Sequence, residues 1–244
     1  MQEKQPKIRL YVELDLDAGG VLGLPANQAH YLRSVMRARP GQEVALFNGR
    51  DGEWRARIDG IGKGWVSLEV AERLRPQATA PDIWLLFAPI KRGRIDYLVQ
   101  KATELGVGVL QPVSTKRTVV ERINLVRLAA TAAEAAEQCQ RLSVPELRSV
   151  QPLDRLVDRW PVERRLLFCD EAGAPPPVQA LPADLAGPWA ILIGPEGGFD
   201  ENERRWLRGL PFVVPVSLGP RVLRSETAAV AALALWQALL GDCR

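Results

Sequence analysis

One histidine, three cysteines and two methionines are all that 244 residues provide of imidazole and sulfur ligands. His30 alone cannot supply a histidine-rich cluster, and Cys139, Cys169 and Cys243 show no paired spacing. Metal chemistry and a disulfide framework are therefore disfavoured, and a reducing cytoplasm is the expected location. Long apolar runs are missing as well. The best, Ala228 to Trp236, stops at Gln237, far short of the ~18 residues a membrane span requires. The opening Met-Gln-Glu-Lys-Gln-Pro-Lys lacks the apolar core of a signal peptide, so neither membrane insertion nor export is expected. Charge of one sign is scarce too: the formal balance is +3, too small to name a partner by itself, so its distribution matters more. There is no G-x-G-x-x-G or G-x-x-x-x-G-K-[ST] phosphate loop, internal repeat or low-complexity segment.

What is present is an ordinary folded composition, 47% apolar and 25% charged, on a chain long enough for one large or two modest domains. Residues 8–12, 43–47, 53–58 and 64–70 alternate as short strands between Gly-Gly, Asn-Gly and Asp-Gly turns, the pattern of a small barrel. A short helix around 27–37 interrupts them and places Arg33 and Arg37 at i and i+4. Arg73 to Asp82, with two prolines and no periodicity, reads as a linker, and the domains are set at 1–74 and 83–244 with 75–82 between them. Beyond it, apolar runs at 83–88, 107–113, 166–169, 189–193 and 212–218 alternate with helical stripes. That is the signature of a largely parallel sheet in an α/β domain. Helices are expected from Ile95 to Leu105, over 124–141 with an i,i+4 pair Glu137/Arg141, after the Asp200 cap with Glu203 three on, and over 226–240. Local excesses of basic residues lie between His30 and Arg57 and between Lys91 and Arg127. On charge alone, both are most simply solvated faces.

Open α/β sheets bind ligands at the carboxyl ends of their strands, which singles out two segments. In Ile193-Gly-Pro-Glu-Gly-Gly-Phe199 the glycines remove side chains so that backbone groups can approach a ligand. In Leu218-Gly-Pro-Arg-Val-Leu-Arg-Ser-Glu-Thr-Ala228, Arg221, Arg224 and Glu226 stand between a buried strand and a buried helix, where charges need partners. A bland alternative makes Ser225 the cap of the last helix and Glu226 a complement to its dipole. Phe199, Trp206 and Trp236 read as core rather than as stacking platforms, and His30 as a packing or surface residue.

These segments, with Lys91-Arg-Gly-Arg-Ile-Asp-Tyr-Leu-Val-Gln-Lys-Ala-Thr-Glu-Leu-Gly106 and Glu137-Gln-Cys-Gln-Arg141 before them, resemble in order the RsmE family of ribosomal RNA methyltransferases. His30-Tyr-Leu-Arg-Ser-Val-Met-Arg37, Pro40-Gly41 and Phe47-Asn-Gly-Arg-Asp-Gly52 are similar to the family's N-terminal part, so nearly the whole chain is involved. Two departures stand out: the stretch between Val120 and Ala129 lacks a tryptophan, and Pro220 replaces a more usual residue.

The resemblance implies a PUA-like β-barrel followed by a SPOUT-type, trefoil-knotted parallel-sheet domain. It implies S-adenosyl-L-methionine as donor and N3 of a uridine in 16S ribosomal RNA, the one at 1498, as acceptor. It further implies a homodimer working on the small subunit or an assembly intermediate. The donor slot would comprise Leu192, Ile193, Gly194, Pro195, Glu196, Gly197 and Gly198 with Leu218, Gly219, Arg221, Val222 and Leu223. Glu226 would be the base and Arg224 would stabilise charge on the uracil, while Arg9, Arg33, Arg37, Arg92, Arg94 and Arg117 would contact RNA. The competing reading is a non-catalytic RNA-binding assembly factor on the same fold, which loss of the glycine loop or of Arg224 and Glu226 would have favoured.

Overall fold

The computed structural model describes residues 5–120, 122–181 and 187–243. Met1 to Lys4, part of the segment scanned for a leader, and Glu121 of the second basic stretch lie outside the described residues. The chain forms two compact units, one of residues 1–79 with 136–144 and the other of 80–135 with 145–244.

The first unit is built on a five-stranded sheet of β1 (Arg9–Tyr11), β2 (Val21–Gly23), β3 (Glu43–Phe47), β4 (Glu53–Gly62) and β5 (Trp65–Arg75), in the order β1-β3-β4-β5-β2. Alternation drives it: Val66, Leu68 and Val70 of β5 point inward with Val44, Leu46, Ala56 and Ile58 to make the core. Strand β2, three residues long, is too short for a periodic signal and escapes the sequence reading. The strand β5 also runs through Arg73 to Arg75, where the pattern reads as linker, because Arg75 pairs in register with Glu53.

The expected helix at 27–37 is broken. α1 (Ala26–His30) passes into a π-helical turn over Tyr31–Val35, and Arg37 is left-handed at φ 52°. The helical turn ends at Val35 and Arg37 is left-handed, so Arg33 and Arg37 do not share a helix face, although both remain exposed.

Glu53 is fully buried in this unit between Arg9 (2.6 Å) and Arg75 (2.7 Å). Arg9 extends the cluster by donating Nη1 to the carbonyls of Ala136 and Glu137 and Nη2 to that of Arg141. It thus satisfies carbonyls orphaned at a helix end, where a cation also suits the dipole. Burial alone would raise the Glu53 pKa, but the hydrogen bonds and charges of Arg75 and Arg9 outweigh it and hold the carboxyl below its usual value. A carboxylate depressed in the folded state contributes stability above its unfolded pKa, about 4.3 for glutamate, and loses it as pH falls through the folded value. Denaturant titrations should therefore show Glu53→Gln well below the parent in stability at pH 7, with the gap narrowing as the pH drops below about 4. A gap independent of pH would exclude the ionised cluster as its source.

The second unit carries a parallel sheet of β6 (Ile83–Phe87), β7 (Val109–Ser114), β8 (Glu146–Leu147), β10 (Arg165–Cys169), β11 (Trp189–Ile193) and β12 (Val213–Val216), ordered β12-β10-β11-β6-β7-β8, with β9 (Gln151–Pro152) pairing β7. Among the described residues every strand pairing in it is parallel, and β11 is buried along its full length, as an apolar strand covered on both faces should be. The helices are α2 (Arg94–Glu104), α3 (Leu125–Gln138), α4 (Leu153–Val157), α5 (Pro177–Ala180), α6 (Glu201–Arg208) and α7 (Ser225–Leu239). The short pieces α4, α5, β8 and β9 carry too few residues for periodicity to reveal them. α6 begins with the expected capping box: Asp200 accepts from the Asn202 N–H and Glu203 from the Asp200 N–H. α7 is tied to the end of α2 by Gln237, whose amide donates to the Leu105 carbonyl at 2.7 Å. The mixed α/β class and parallel sheet match the sequence expectation. Of the three aromatics assigned to the core, Phe199 and Trp236 are buried, but Trp206 is 36% exposed.

Candidate active site

Three chain segments leave the carboxyl ends of neighbouring strands and converge: 169–171 after β10, 193–199 after β11 and 218–225 after β12. Together they enclose a cavity of about 290 Å³. The middle segment turns sharply, Gly198 N–H bonding the Pro195 carbonyl at 2.9 Å. Two of its three glycines are dictated by space. A Cβ on Gly194 would stand 2.6 Å from the Phe199 ring, and one on Gly198, already at φ +67°, would stand 2.7 Å from a Glu171 carboxylate oxygen. Phe199 is locked edge-on against Phe168, with centroids 5.0 Å apart.

Of the expected slot residues, Ile193, Gly194, Pro195, Glu196, Gly197, Gly198, Leu218, Gly219, Arg221, Val222 and Leu223 all line this cavity. Leu192 does not. Neighbouring residues of a strand face opposite ways, and Leu192 packs into the core with Leu86 and Phe168.

The sequence reading missed Cys169, Asp170 and Glu171, which form the third wall. The signal was available, since a strand was expected at 166–169 and the residues after it occupy the same end of the sheet as the other two loops. Burial pushes the Cys169 thiol up to about 12, so it remains protonated and is no nucleophile at neutral pH.

Ser225 also differs from expectation. Arg224 is the residue preceding the helix and makes no side-chain cap, while Ser225, buried, donates its hydroxyl to the Gly194 carbonyl at 2.9 Å. That bond fastens α7 to the glycine turn. Ser225→Ala removes one buried bond, worth about 1 kcal/mol, so the thermal midpoint should fall by roughly 2–4 °C. Calorimetric titration should show weakened occupancy of the cavity, and an unchanged midpoint would show that the bond is not holding the turn.

Neither Arg224 nor Glu226 lines the cavity, but each sits beside Ser225, which does. The Arg224 side chain is exposed. The Glu226 side chain is 12% exposed, with Oε1 3.8 Å from Arg94 Nε and Oε2 buried without a hydrogen-bond partner. Arg94 in turn pairs with Glu196 on the cavity wall. An apolar slot backed by glycine turns and edged by carboxylates suits a flat heteroaromatic group carrying a nearby positive charge.

The sequence model of the RNA methyltransferase domain matches residues 77–237, and that of the RNA methyltransferase PUA domain matches 24–70. The chain belongs to the RsmE family of RNA methyltransferases. Relatives named ribosomal RNA small subunit methyltransferase E include that of Synechocystis, 31% identical over 95% of this chain and 78% of its own. That of Rickettsia conorii is 29% identical over 96% and 97%. Among solved structures, a methyltransferase of Legionella pneumophila described with bound SAM superposes with a TM-score of 0.87 at 34% identity, covering 96% of this chain and 98% of that one. The Neisseria gonorrhoeae ribosomal RNA small subunit methyltransferase E, bound to S-adenosyl methionine, gives 0.86 at 30%, covering 97% and 99%.

Within this RsmE-family chain the six arginines expected to contact RNA divide into three sets. Arg33, Arg37 and Arg92 are exposed, as is Arg117. Arg9 is engaged through Nε and both Nη atoms inside the first unit, and its plane covers the Phe47 ring at 4.5 Å, so it serves the fold. Arg117 donates to the Gly197 carbonyl at 3.0 Å and Arg94 is held by two glutamates, so both belong to the surroundings of the cavity.

Proposed function

We propose that this protein transfers a methyl group from S-adenosyl-L-methionine to N3 of a uridine in 16S ribosomal RNA, the uridine at 1498 by family resemblance. One observation carries the reading: a glycine-walled cavity at the strand ends with a buried, unpartnered carboxylate oxygen, that of Glu226, just beyond its wall.

The cavity fits the donor. Gly194, Gly197 and Gly198 leave backbone exposed to it, Leu218, Val222 and Leu223 supply apolar surface for adenine, and Glu171 and Glu196 supply negative charge opposite a cation. When bound, the donor supplies an electrophilic methyl on a sulfonium. Uracil N3 carries a proton at neutral pH, so its lone pair becomes nucleophilic only if a base removes that proton. Glu226 takes it on Oε2, which no protein donor occupies. Arg224 meets the negative charge that develops on the uracil carbonyls. A paired uracil hides N3, so the acceptor is unpaired or flipped out.

The first unit is the PUA-like barrel that grips RNA through Arg33 and Arg37, the linker follows β5, and the second unit is the SPOUT domain. The SPOUT domain is trefoil-knotted, as the family resemblance implies. The chain works in the cytoplasm as a homodimer; the Ala- and Leu-rich helix α7, with Leu235 36% exposed, supports an apolar partner surface. Sedimentation should give a dimer at micromolar concentration, and a monomer throughout would remove that part of the reading.

The test is a mass map of 16S ribosomal RNA nucleosides from a strain lacking the gene. One 3-methyluridine should vanish and return with the wild-type chain. An unchanged map, with RNA binding intact, would favour a non-catalytic assembly factor.

A further inference from the structure

The Arg94 guanidinium stands between two carboxylates on different elements. Its Nη1 donates to Glu196 Oε1, on the turn that walls the cavity, while its Nε lies 3.8 Å from Glu226 Oε1 on α7. The second distance is that of an ion pair, beyond hydrogen-bond range. Glu226 is thus held by the charge of Arg94 while Oε2 accepts no bond at all. That is an unusual state for a buried carboxylate, whose oxygens normally find donors, and it leaves a lone pair that no donor in the protein engages. The hydrogen bond goes to Glu196, which keeps Nη1 of Arg94 from closing on Glu226.

We propose that Arg94 is a positioning residue for methyl transfer: pinned by Glu196, it holds the Glu226 carboxylate beside the cofactor turn without occupying the oxygen that receives the proton. This rests on the proposed function for the reaction, but the pinning is a property of the chain itself. The sequence-based assignment had placed Arg94 among the RNA contacts. Arg94 and Glu196 are both more than one-third exposed, and pairs so exposed add little to stability, so their replacement leaves the fold standing.

The experiment compares Arg94→Met, Arg94→Lys, Glu226→Gln and the Arg94→Met/Glu226→Gln double variant. Each is assayed for saturating single-turnover methylation of 30S subunits lacking the modification and for binding of S-adenosylmethionine and RNA. Arg94→Met should lower the saturating rate by up to about 10²-fold, the cost of a misplaced reacting group, with both affinities little changed, and Arg94→Lys should recover part of the loss. Because Arg94 acts through Glu226, the double variant should be no slower than Glu226→Gln. A double variant slower by the full Arg94→Met factor would overturn the proposal. So would an Arg94→Met protein that loses RNA affinity but keeps its saturating rate, since Arg94 would then grip phosphate.

A crystal structure of Arg94→Met reads the pinning without any activity. Glu226 should leave its buried position, and an unmoved carboxylate overturns the proposal. A parent that fails to methylate removes the proposed function, and this structure still decides the role of Arg94.

Discussion

Glu226→Gln should depress single-turnover methylation by about 10² to 10⁴, the range for loss of a general base, while affinities for S-adenosylmethionine and RNA remain close to the parent's. The substitution is nearly isosteric, and no hydrogen bond to Oε2 is lost because none is made. The attraction between Arg94 and Oε1 across 3.8 Å disappears, but a pair in which Arg94 is 38% exposed contributes little to folding. The chemical step alone should suffer, as when an interaction made only in the transition state is removed. The bland alternative, in which Glu226 only complements the α7 dipole, predicts the opposite: a slightly less stable protein whose folded fraction methylates at the parent rate. A stable Glu226→Gln protein with an undiminished single-turnover rate eliminates the base assignment. A residual rate that climbs with pH points to solvent taking the proton.

Asp170→Ala should be the most destabilising single change near the cavity. The Asp170 carboxylate is fully buried and is approached by Arg204 Nε at 3.0 Å and Arg208 Nη2 at 2.6 Å, one turn apart on α6. It also accepts from the Ala172 N–H at 3.0 Å. Removing one partner of a buried pair costs about 3–5 kcal/mol because the others are left uncompensated. Arg204 and Arg208 are 20% and 37% exposed, so water relieves part of this and the lower end, about 3 kcal/mol, applies. For a chain of this size that is a fall of roughly 6–12 °C in thermal midpoint. The same cluster fixes the wall 169–171, since Arg204 also holds Glu171 at 2.8 Å. Cofactor binding measured by calorimetry should therefore weaken in the same variant. Asp170→Asn keeps the volume and an acceptor for Ala172, so it should lose less. Equal midpoints for parent and Asp170→Ala would show that other contacts hold α6 against the strand end.

Much of the second unit was legible from local pattern. Strands at 83–88, 166–169 and 189–193 sit within a residue of β6, β10 and β11, because continuous apolar runs bounded by breakers have few other uses. The cap at Asp200 was legible because capping is a contract among neighbours, Asp200 and Glu203. The cavity turns were legible because glycine clusters at strand exits mark close approach. What the reading could not supply were partners remote in sequence. Arg9 is engaged by Glu53 and the carbonyls of Ala136 and Glu137 across 44 to 128 positions. Arg94 pairs with Glu196, 102 residues on.

By itself, then, the sequence determined the longer strands and helices, that an α/β unit with a parallel sheet follows a β-rich one, and which two glycine- and arginine-bearing turns line the cavity. These follow from periodicity and turn chemistry, which act over a few residues. Only the tertiary structure decided that Leu192 turns away from the cavity, that 169–171 closes it, that Ser225 fastens the glycine turn instead of capping α7, and that Arg94 stands between Glu196 and Glu226. The physical reason is one of range. A charge or hydroxyl is assigned to whichever partner the packed chain brings within about 3–4 Å, and the sheet order that brings β10, β11 and β12 side by side is set by burial of their common apolar faces.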